Sequence, residues 1–207
     1  MALFITFEGG DGCGKSVQAR ALYRRLARLA VPVVLAHEPG GTPLGQKLAR
    51  VLKWGHGTGI SPMAELLMFN ASRAQLVDGV IQPGLKSGKA IVCDRYVDST
   101  IAYQSYGRGL ELETVDSVCR TATGGLTPDL TVLLDIPPEN GLARKGSQKQ
   151  DRFEQEGIAF HRRVRQGYLE LAAIEPARWL VIDALQSKTI IAGIIWHRVS
   201  HLLSGTQ

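Results

Sequence analysis

The apolar run Leu3-Phe4-Ile5-Thr6-Phe7 passes through Glu8 into Gly9-Gly10-Asp11-Gly12-Cys13-Gly14-Lys15-Ser16. A glycine, four residues, then Gly-Lys-Ser is the spacing of a phosphate-binding loop. The glycines let the backbone curl so that successive N–H groups point at one cluster of oxyanions. A helix beginning near Gly14 adds the positive end of its dipole. Lys15 brings a mobile charge to the outer phosphates, and Ser16 offers a hydroxyl to a magnesium ion. A glycine turn followed by a chance Lys-Ser would match the pattern too. Context separates the two readings. The loop follows an expected strand and precedes Val17–Leu29, where Ala21, Leu22, Leu26 and Leu29 recur at helical spacing. Residues 9–16 therefore read as a nucleoside triphosphate site.

Working outward, four more apolar runs look like buried strands: Val31–Ala36, Ala90–Cys93, Leu130–Ile136 and Trp179–Ile182. Helical patterns separate them. Leu44–Leu52 and Pro62–Ile81 follow the second strand, and Ser99–Tyr106 and Leu112–Thr121 the third. Leu142–Arg144 and Phe153–Ile174 follow the fourth, and Thr189–Leu203 comes last. This alternation predicts an α/β fold, a five-stranded parallel sheet with helices on both faces. One segment, Arg144–Gly157, is polar, lacks apolar periodicity and carries Lys145, Lys149 and Arg152. A mobile flap and a plain solvated loop fit its composition equally well.

The bulk numbers exclude several classes. A chain of 207 residues fits one α/β domain, and 44% apolar with 21% charged residues is ordinary for a globular protein. No apolar stretch is long enough for a bilayer, and no basic region precedes an apolar core at the N-terminus, so the expectation is a cytoplasmic protein without a membrane partner. Cys13, Cys93 and Cys119 are odd in number and lack metal-type spacing, which argues against a disulfide scaffold or a zinc site. The formal charge of +5 invites nucleic acid, yet aromatic content is 6% and no basic block has interleaved aromatics. A small polyanion is the better partner for that charge.

In parallel α/β sheets ligands sit beyond the carboxyl ends of the strands. After the second strand comes His37-Glu38-Pro39-Gly40-Gly41-Thr42, after the third Asp94-Arg95-Tyr96, after the fourth Pro137-Pro138, and after the fifth Asp183-Ala184-Leu185-Gln186. Asp94 closes an apolar strand as a magnesium-holding acid does, with a helix cap as the rival reading. Arg95 suits a bidentate grip on phosphate, with a surface salt bridge as the rival. Phe69 and Arg73 lie four apart on one helix face and suit a base and its phosphate; a plain core Phe is the commoner case. Thr100, Tyr103 and Gln104 share one side of a helix and offer hydroxyl and amide groups, against ordinary surface polarity. Cys13, beside a helix N-terminus, is either a modifiable thiol or a small filler.

Longer segments carry a resemblance. They are Phe7-Glu8-Gly9 with the loop, Glu38-Pro39-Gly40-Gly41-Thr42-Pro43-Leu44-Gly45, Leu67-Met68-Phe69-Asn70-Ala71-Ser72-Arg73-Ala74-Gln75 and Asp94-Arg95-Tyr96 through Gln104. Pro128-Asp129-Leu130-Thr131 through Asp135, Gly141-Leu142-Ala143-Arg144, Asp151-Arg152-Phe153-Glu154 and the stretch Arg163–Ala172 continue it. In these segments, taken in order over nearly the whole chain, the sequence resembles bacterial thymidylate kinases. The resemblance implies a three-layer sandwich of the P-loop NTPase type, one domain over residues 1–207 and a lid at about residues 142–157. It implies phosphorylation of dTMP to dTDP by ATP with Mg2+, and a homodimer.

At matched positions it implies that Phe69 stacks on thymine and that Arg73 bonds the base and approaches the phosphate. Arg95 would hold the dTMP phosphate, Thr100 and Gln104 would face the base, and Tyr103 would stand where a ribose 2′-hydroxyl would be. Glu38 and Arg50 would help position the monophosphate, with Asp11 near its sugar and phosphate. Lys15, Arg95, Asp11 and a lid arginine form the expected catalytic set, and Ser16 and Asp94 the metal side. Relatives carry the catalytic arginine either in the phosphate loop or in the lid. Gly12 stands at the loop position here, so the lid must supply the charge; Arg144 is the best match, with Lys145, Lys149 and Arg152 as helpers. Two features depart from the family pattern: His37 stands where most relatives have arginine, and the lid is short and less arginine-rich. A related small-molecule kinase is one rival reading. A nucleotide switch is another, weakened by the lack of a guanine-reading Asn-Lys-x-Asp segment.

Overall fold

The computed structural model describes residues 2–55, 59–146 and 150–204. Five strands, β1 (Leu3–Glu8), β2 (Val33–His37), β3 (Ala90–Asp94), β4 (Leu130–Asp135) and β5 (Trp179–Asp183), form one parallel sheet in the order β2-β3-β1-β4-β5. The expected α/β architecture is therefore the observed one, with β1 at the centre and its phosphate loop in the middle of the C-terminal edge. The β2 boundary differs. The Val31 N–H closes the preceding helix on Leu26 O at 3.1 Å and Pro32 has no N–H to give, so pairing begins at Val33.

Alternation along the strands sends apolar side chains to both faces, as a doubly covered sheet requires. On one face Leu3, Ile5 and Phe7 pack with α1 (Lys15–Arg28) and α9 (Lys188–Ser204). On the other, Phe4, Ile91 and Cys93 meet Leu76, Val77 and Ile81 at the end of α3 (Pro62–Leu76) and beyond. Leu133 and Trp179 meet α8 (Ile158–Ile174) through Phe160, Val164 and Tyr168. Between β2 and α3 lies α2 (Pro43–Trp54), whose Thr42 hydroxyl accepts from Gly45 N at 3.0 Å just ahead of Pro43, a strong helix start. α4 (Gln82–Lys86) leads into β3. α5 (Val97–Thr100) and α6 (Leu112–Thr123) precede β4, and α7 (Pro138–Lys145) follows it.

Two segments wind wider than an α-helix, with π-type turns at Val77–Ile81 and Ile101–Gly107. Sequence periodicity predicts plain helix at both. The helix expected from Phe153 starts only at Ile158, because Asp151 Oδ1 accepts from the N–H groups of Phe153 (3.0 Å) and Glu154 (3.1 Å) and holds 151–156 as a turn. Among the described residues no helix is long and apolar enough to cross a membrane.

Candidate active site

Two pockets open along the strand ends and meet. The larger, about 1230 Å³, is lined by the phosphate loop and by Lys15, Ser16, His37, Asp94 and Lys145. Lys15 donates to Gly9 O (2.9 Å), Gly10 O (2.7 Å) and Cys13 Sγ (3.4 Å), so its ammonium lies along the loop. Cys13 is buried there, which favours the filler reading. The Ser16 hydroxyl donates directly to Asp94 Oδ2, which brings the two expected metal-side residues together. Gly12 has φ +73°, and a Cβ built on it would lie 1.9 Å from Gly141 O at α7. Loop and helix thus touch backbone to backbone, and position 12 admits only glycine.

Arg95 stands at the junction and lines both pockets. It follows β3 directly, has φ +70°, and its N–H bonds Phe7 O at 3.0 Å. Holding a non-glycine residue in the left-handed region stores strain, here at a residue that lines both pockets. Its guanidinium donates to Gly9 O (3.1 Å), Ser99 Oγ (3.0 Å), Tyr168 OH (3.2 Å), Asp11 Oδ1 (3.0 Å) and Tyr103 OH (3.3 Å). Tyr103 OH in turn donates to Asp11 Oδ2 at 3.1 Å. Burial alone would raise the Asp11 carboxyl; Arg95, then Lys15 and Lys145, and the Tyr103 bond bring it down to about 2.

Beneath Arg95 lies Glu8, fully buried. Its oxygens accept from Tyr96 N (2.7 Å), Ser99 Oγ (2.5 Å) and Tyr168 OH (3.1 Å). Burial, with Asp98 adding repulsion, pushes its carboxyl up to about 7 against the pull of Ser99, Arg95 and the Tyr96 N–H. Ser99 and Tyr168 therefore link Glu8 to the guanidinium.

The second pocket, about 510 Å³, is lined by Phe69, Arg73, Thr100, Tyr103, Gln104 and Phe153, with Asp11, Glu38, Lys53, Arg95 and Asp151 towards the junction. Phe153 packs on Phe69 with ring centroids 5.6 Å apart and on Tyr103 at 6.1 Å. A flat apolar slot with a few polar groups at its end suits a heterocyclic base. The wide turn at Ile101–Gly107 puts Tyr103 and Gln104 on this pocket together with Thr100; such turns concentrate at functional sites.

Some expected roles meet a different geometry. Arg73 is 1% exposed and all five of its N–H groups are engaged. They point to Glu38 Oε2 (2.7 Å), Asn70 Oδ1 (3.2 Å), Cys119 Sγ (3.6 Å), Tyr96 O (3.1 Å) and Thr100 Oγ1 (2.7 Å). It fixes Glu38 and Thr100 and keeps no free N–H for a ligand. Glu38 lines both pockets; burial raises its carboxyl against the pull of Arg73, and its Oε1 is buried without a hydrogen-bond partner among the described residues.

Arg50 is exposed and lines neither pocket, whereas Lys53, three residues on along α2, lines both. Arg144 is also exposed: its guanidinium donates to Ala184 O (3.0 Å), beside the loop after β5, and does not line the cleft. Its neighbour Lys145 does, paired to Glu154. Adjacent helical residues diverge by about 100°, which is why one lines the cleft beside the phosphate loop and the other does not. Burial lowers the Lys145 ammonium below its ordinary value, and Lys15 and Arg95 add to that against Asp11 and Asp151. Of the other positions expected to help from a lid, Arg152 is bound to Glu65 and to Leu52 O (3.1 Å), and Lys149 lies outside the described residues.

Sequence reasoning passed over Lys53, Phe153, Asp151, Tyr168 and Glu65. Phe153 and Asp151 carried a signal inside the Asp-Arg-Phe-Glu segment, and Tyr168 inside Arg163–Ala172; Lys53 and Glu65 carried none.

The comparisons with known proteins agree with one another. The family model described as thymidylate kinase matches residues 7–193. A thymidylate kinase of Dehalococcoides mccartyi is 55% identical over 207 residues, covering 100% of both chains. One of Deinococcus radiodurans is 48% identical over 96% of both. A solved thymidylate kinase from Ehrlichia chaffeensis superposes with a TM-score of 0.79 at 32% identity, covering 96% of this chain and 98% of that one.

Proposed function

The chain belongs to the thymidylate kinase family, and from that membership and the joined pockets we infer that it transfers the terminal phosphoryl group of ATP to dTMP, giving ADP and dTDP. The observation that carries the reading is the junction: a phosphate loop on one side, an aromatic slot on the other, and Arg95 with Asp11 lining both.

In this reading the loop amides of residues 9–16 and Lys15 hold the β- and γ-phosphates, and Arg95 clamps the dTMP phosphate in line with them. Phosphoryl transfer passes through a loose transition state with charge spread over the equatorial oxygens, so alignment and positive charge are what the chain must supply. A hydroxyl beside a carboxylate is the all-oxygen donor set that magnesium takes, so Ser16 and Asp94 fit Mg2+; bound there, it would neutralise charge on the ATP phosphates. Lys145, rather than Arg144, is the lid cation beside the transferring group, supported by its place in the phosphate cleft. Phe69 and Phe153, packed on each other, form the apolar wall of the slot for thymine. Tyr103, held by Asp11 and Arg95, guards the sugar.

The same reading makes residues 1–207 one kinase domain with a lid at about 142–157, acting in the cytoplasm, where ATP is made and spent. A homodimer belongs to it, supported by Leu44 and Val51 of α2 and Met63 and Leu67 of α3, apolar yet exposed on two helices packed together. An ADP-release assay with ATP, Mg2+ and a panel of nucleoside monophosphates tests the function. dTMP should be the best acceptor. No dTMP-dependent ADP, or a faster purine acceptor, would overturn it.

A further inference from the structure

Glu65 is fully buried on α3, one turn before Phe69, and none of the roles above uses it. Its carboxylate gathers three donor residues, two from the segment around residues 101–108 and one from the lid segment. Gln104 Nε2 reaches Oε1 at 2.9 Å. Arg108 reaches Oε1 through Nε (3.1 Å) and Oε2 through Nη2 (3.2 Å), and Arg152 of the lid segment donates to Oε2.

A carboxylate facing guanidinium groups only accepts, so a primary amide next to it must present its NH2. That fixes the orientation of the Gln104 amide without reference to any ligand. With its nitrogen committed to Glu65, Gln104 has its carbonyl oxygen left for the pocket it lines. Thr100 is constrained in the opposite sense. Its Oγ1 accepts from Arg73 Nη2 at 2.7 Å, so its own O–H is what remains to give. The end of the slot therefore offers a donor on the Arg73–Thr100 side and an acceptor on the Gln104 side. Two buried charges, one of each sign, set that polarity.

A 2,4-dioxopyrimidine shows a carbonyl acceptor next to an N–H donor and matches this end wall. A 4-aminopyrimidine shows the reverse, a donor next to a bare ring nitrogen. It would face donor with donor and acceptor with acceptor, leaving buried groups unpaired.

We propose that Glu65 is a positioning residue for base selection: by holding the Gln104 amide nitrogen it turns the carbonyl into the pocket, and so admits the oxo pyrimidine and rejects the amino one. This rests on the reading that the slot holds the base of dTMP.

The test compares dTMP with 5-methyl-dCMP, which keeps the methyl group and changes only the edge in question. The full-length wild type should prefer dTMP by roughly 10⁴-fold in kcat/KM, the scale of a site built around a substrate hydrogen bond. Wild-type turnover of dTMP with 5-methyl-dCMP within tenfold of it would overturn the proposal. Absence of dTMP turnover would instead overturn the function on which it rests. Glu65→Gln, which lets the Gln104 amide take either orientation, should shrink the preference by roughly 10- to 100-fold, mainly through KM. A parallel loss on both acceptors with the ratio intact would mean that Glu65 is only structural.

Arg152→Gln removes one guanidinium from Glu65 but leaves the Gln104 pair. It should slow both acceptors and keep the ratio; a shift as large as that of Glu65→Gln would overturn the assignment. A wild-type measurement covers the case in which Glu65→Gln does not fold. The side-chain amide protons of Gln104 should be slow to exchange in NMR spectra and stay so when dTMP is added, because the new bond falls on the carbonyl. An amide that loses this protection, or whose protons move to the base, would refute the proposal.

Discussion

Replacing Arg95 by alanine and, in parallel, by glycine separates what the guanidinium does from what its backbone costs. The side chain makes five hydrogen bonds at the junction. A bidentate grip on the acceptor phosphate would replace the softest of them with two charge-assisted bonds, each worth about 1.5–3 kcal/mol. Their loss corresponds to roughly 10²- to 10⁴-fold in kcat/KM for dTMP. Asp11 adds to the loss, since its carboxylate then meets the incoming phosphate without its first counter-charge. Both variants remove the same contacts, so their kinetic defects should coincide. Their stabilities should not. Position 95 has φ +70°, which alanine keeps under strain and glycine adopts freely, a difference of about 1 kcal/mol in favour of glycine. Initial rates with either substrate varied, together with urea denaturation of both variants, give all the numbers. ATP KM should stay within about threefold of wild type, because the loop and Lys15 are untouched. A raised ATP KM with normal dTMP kinetics would put Arg95 on the wrong substrate, and equal stability of the two variants would remove the strain argument.

Gly12→Ala should lose activity and stability together, since its Cβ would fall 1.9 Å from Gly141 O, whereas Gly10→Ala, with no atom within 4 Å, should stay folded; thermal melts and rates on both variants decide it. Glu8 binds its proton more tightly folded than unfolded, so its stabilising share is complete below pH 4.5 and drains away as pH rises through about 7. Glu8→Gln should flatten that part of the stability profile, and parallel urea midpoints for the two proteins from pH 4.5 to 8 would contradict the burial of that charge. Lys145→Ala should lower kcat by roughly 10²- to 10³-fold and Arg144→Ala by less than about threefold; the reverse order would restore Arg144 to the phosphoryl group. dUMP, which lacks only the thymine methyl, should be a poorer substrate by roughly 10- to 200-fold in kcat/KM, and equal turnover would mean the slot does not enclose that methyl.

The sheet was legible because its strands are short apolar runs ended by glycine or charge, and the loop because only glycines allow its curl. The ends of those strands then located Asp94, Arg95 and Glu38 without further information. Side-chain direction was another matter. Arg50 and Lys53, and again Arg144 and Lys145, are close in sequence and chemically similar. Which of each pair reaches the cleft depends on helix rotation that no local pattern records. Spacing already put Thr100, Tyr103 and Gln104 on one side of a helix, but the widened turn at Ile101–Gly107 that carries Tyr103 and Gln104 has no sequence period of its own. Arg73 illustrates a further limit. Its identity was readable, but the number of its N–H groups consumed internally depends on Asn70 of its own helix and on Glu38, Tyr96, Thr100 and Cys119 arriving from three other segments of the chain.

The backbone contact between the phosphate loop and α7 bears on how this enzyme can be re-engineered. Gly12 meets the carbonyl of Gly141, and a Cβ on Gly141 would in turn meet the carbonyl of Asp11 at 2.3 Å. Neither glycine can be exchanged while the other stays where it is. Transplanting an arginine into the loop is therefore not a single-codon experiment: the start of α7 has to be rebuilt in the same step. A library that samples one site at a time will find no path between the two arrangements.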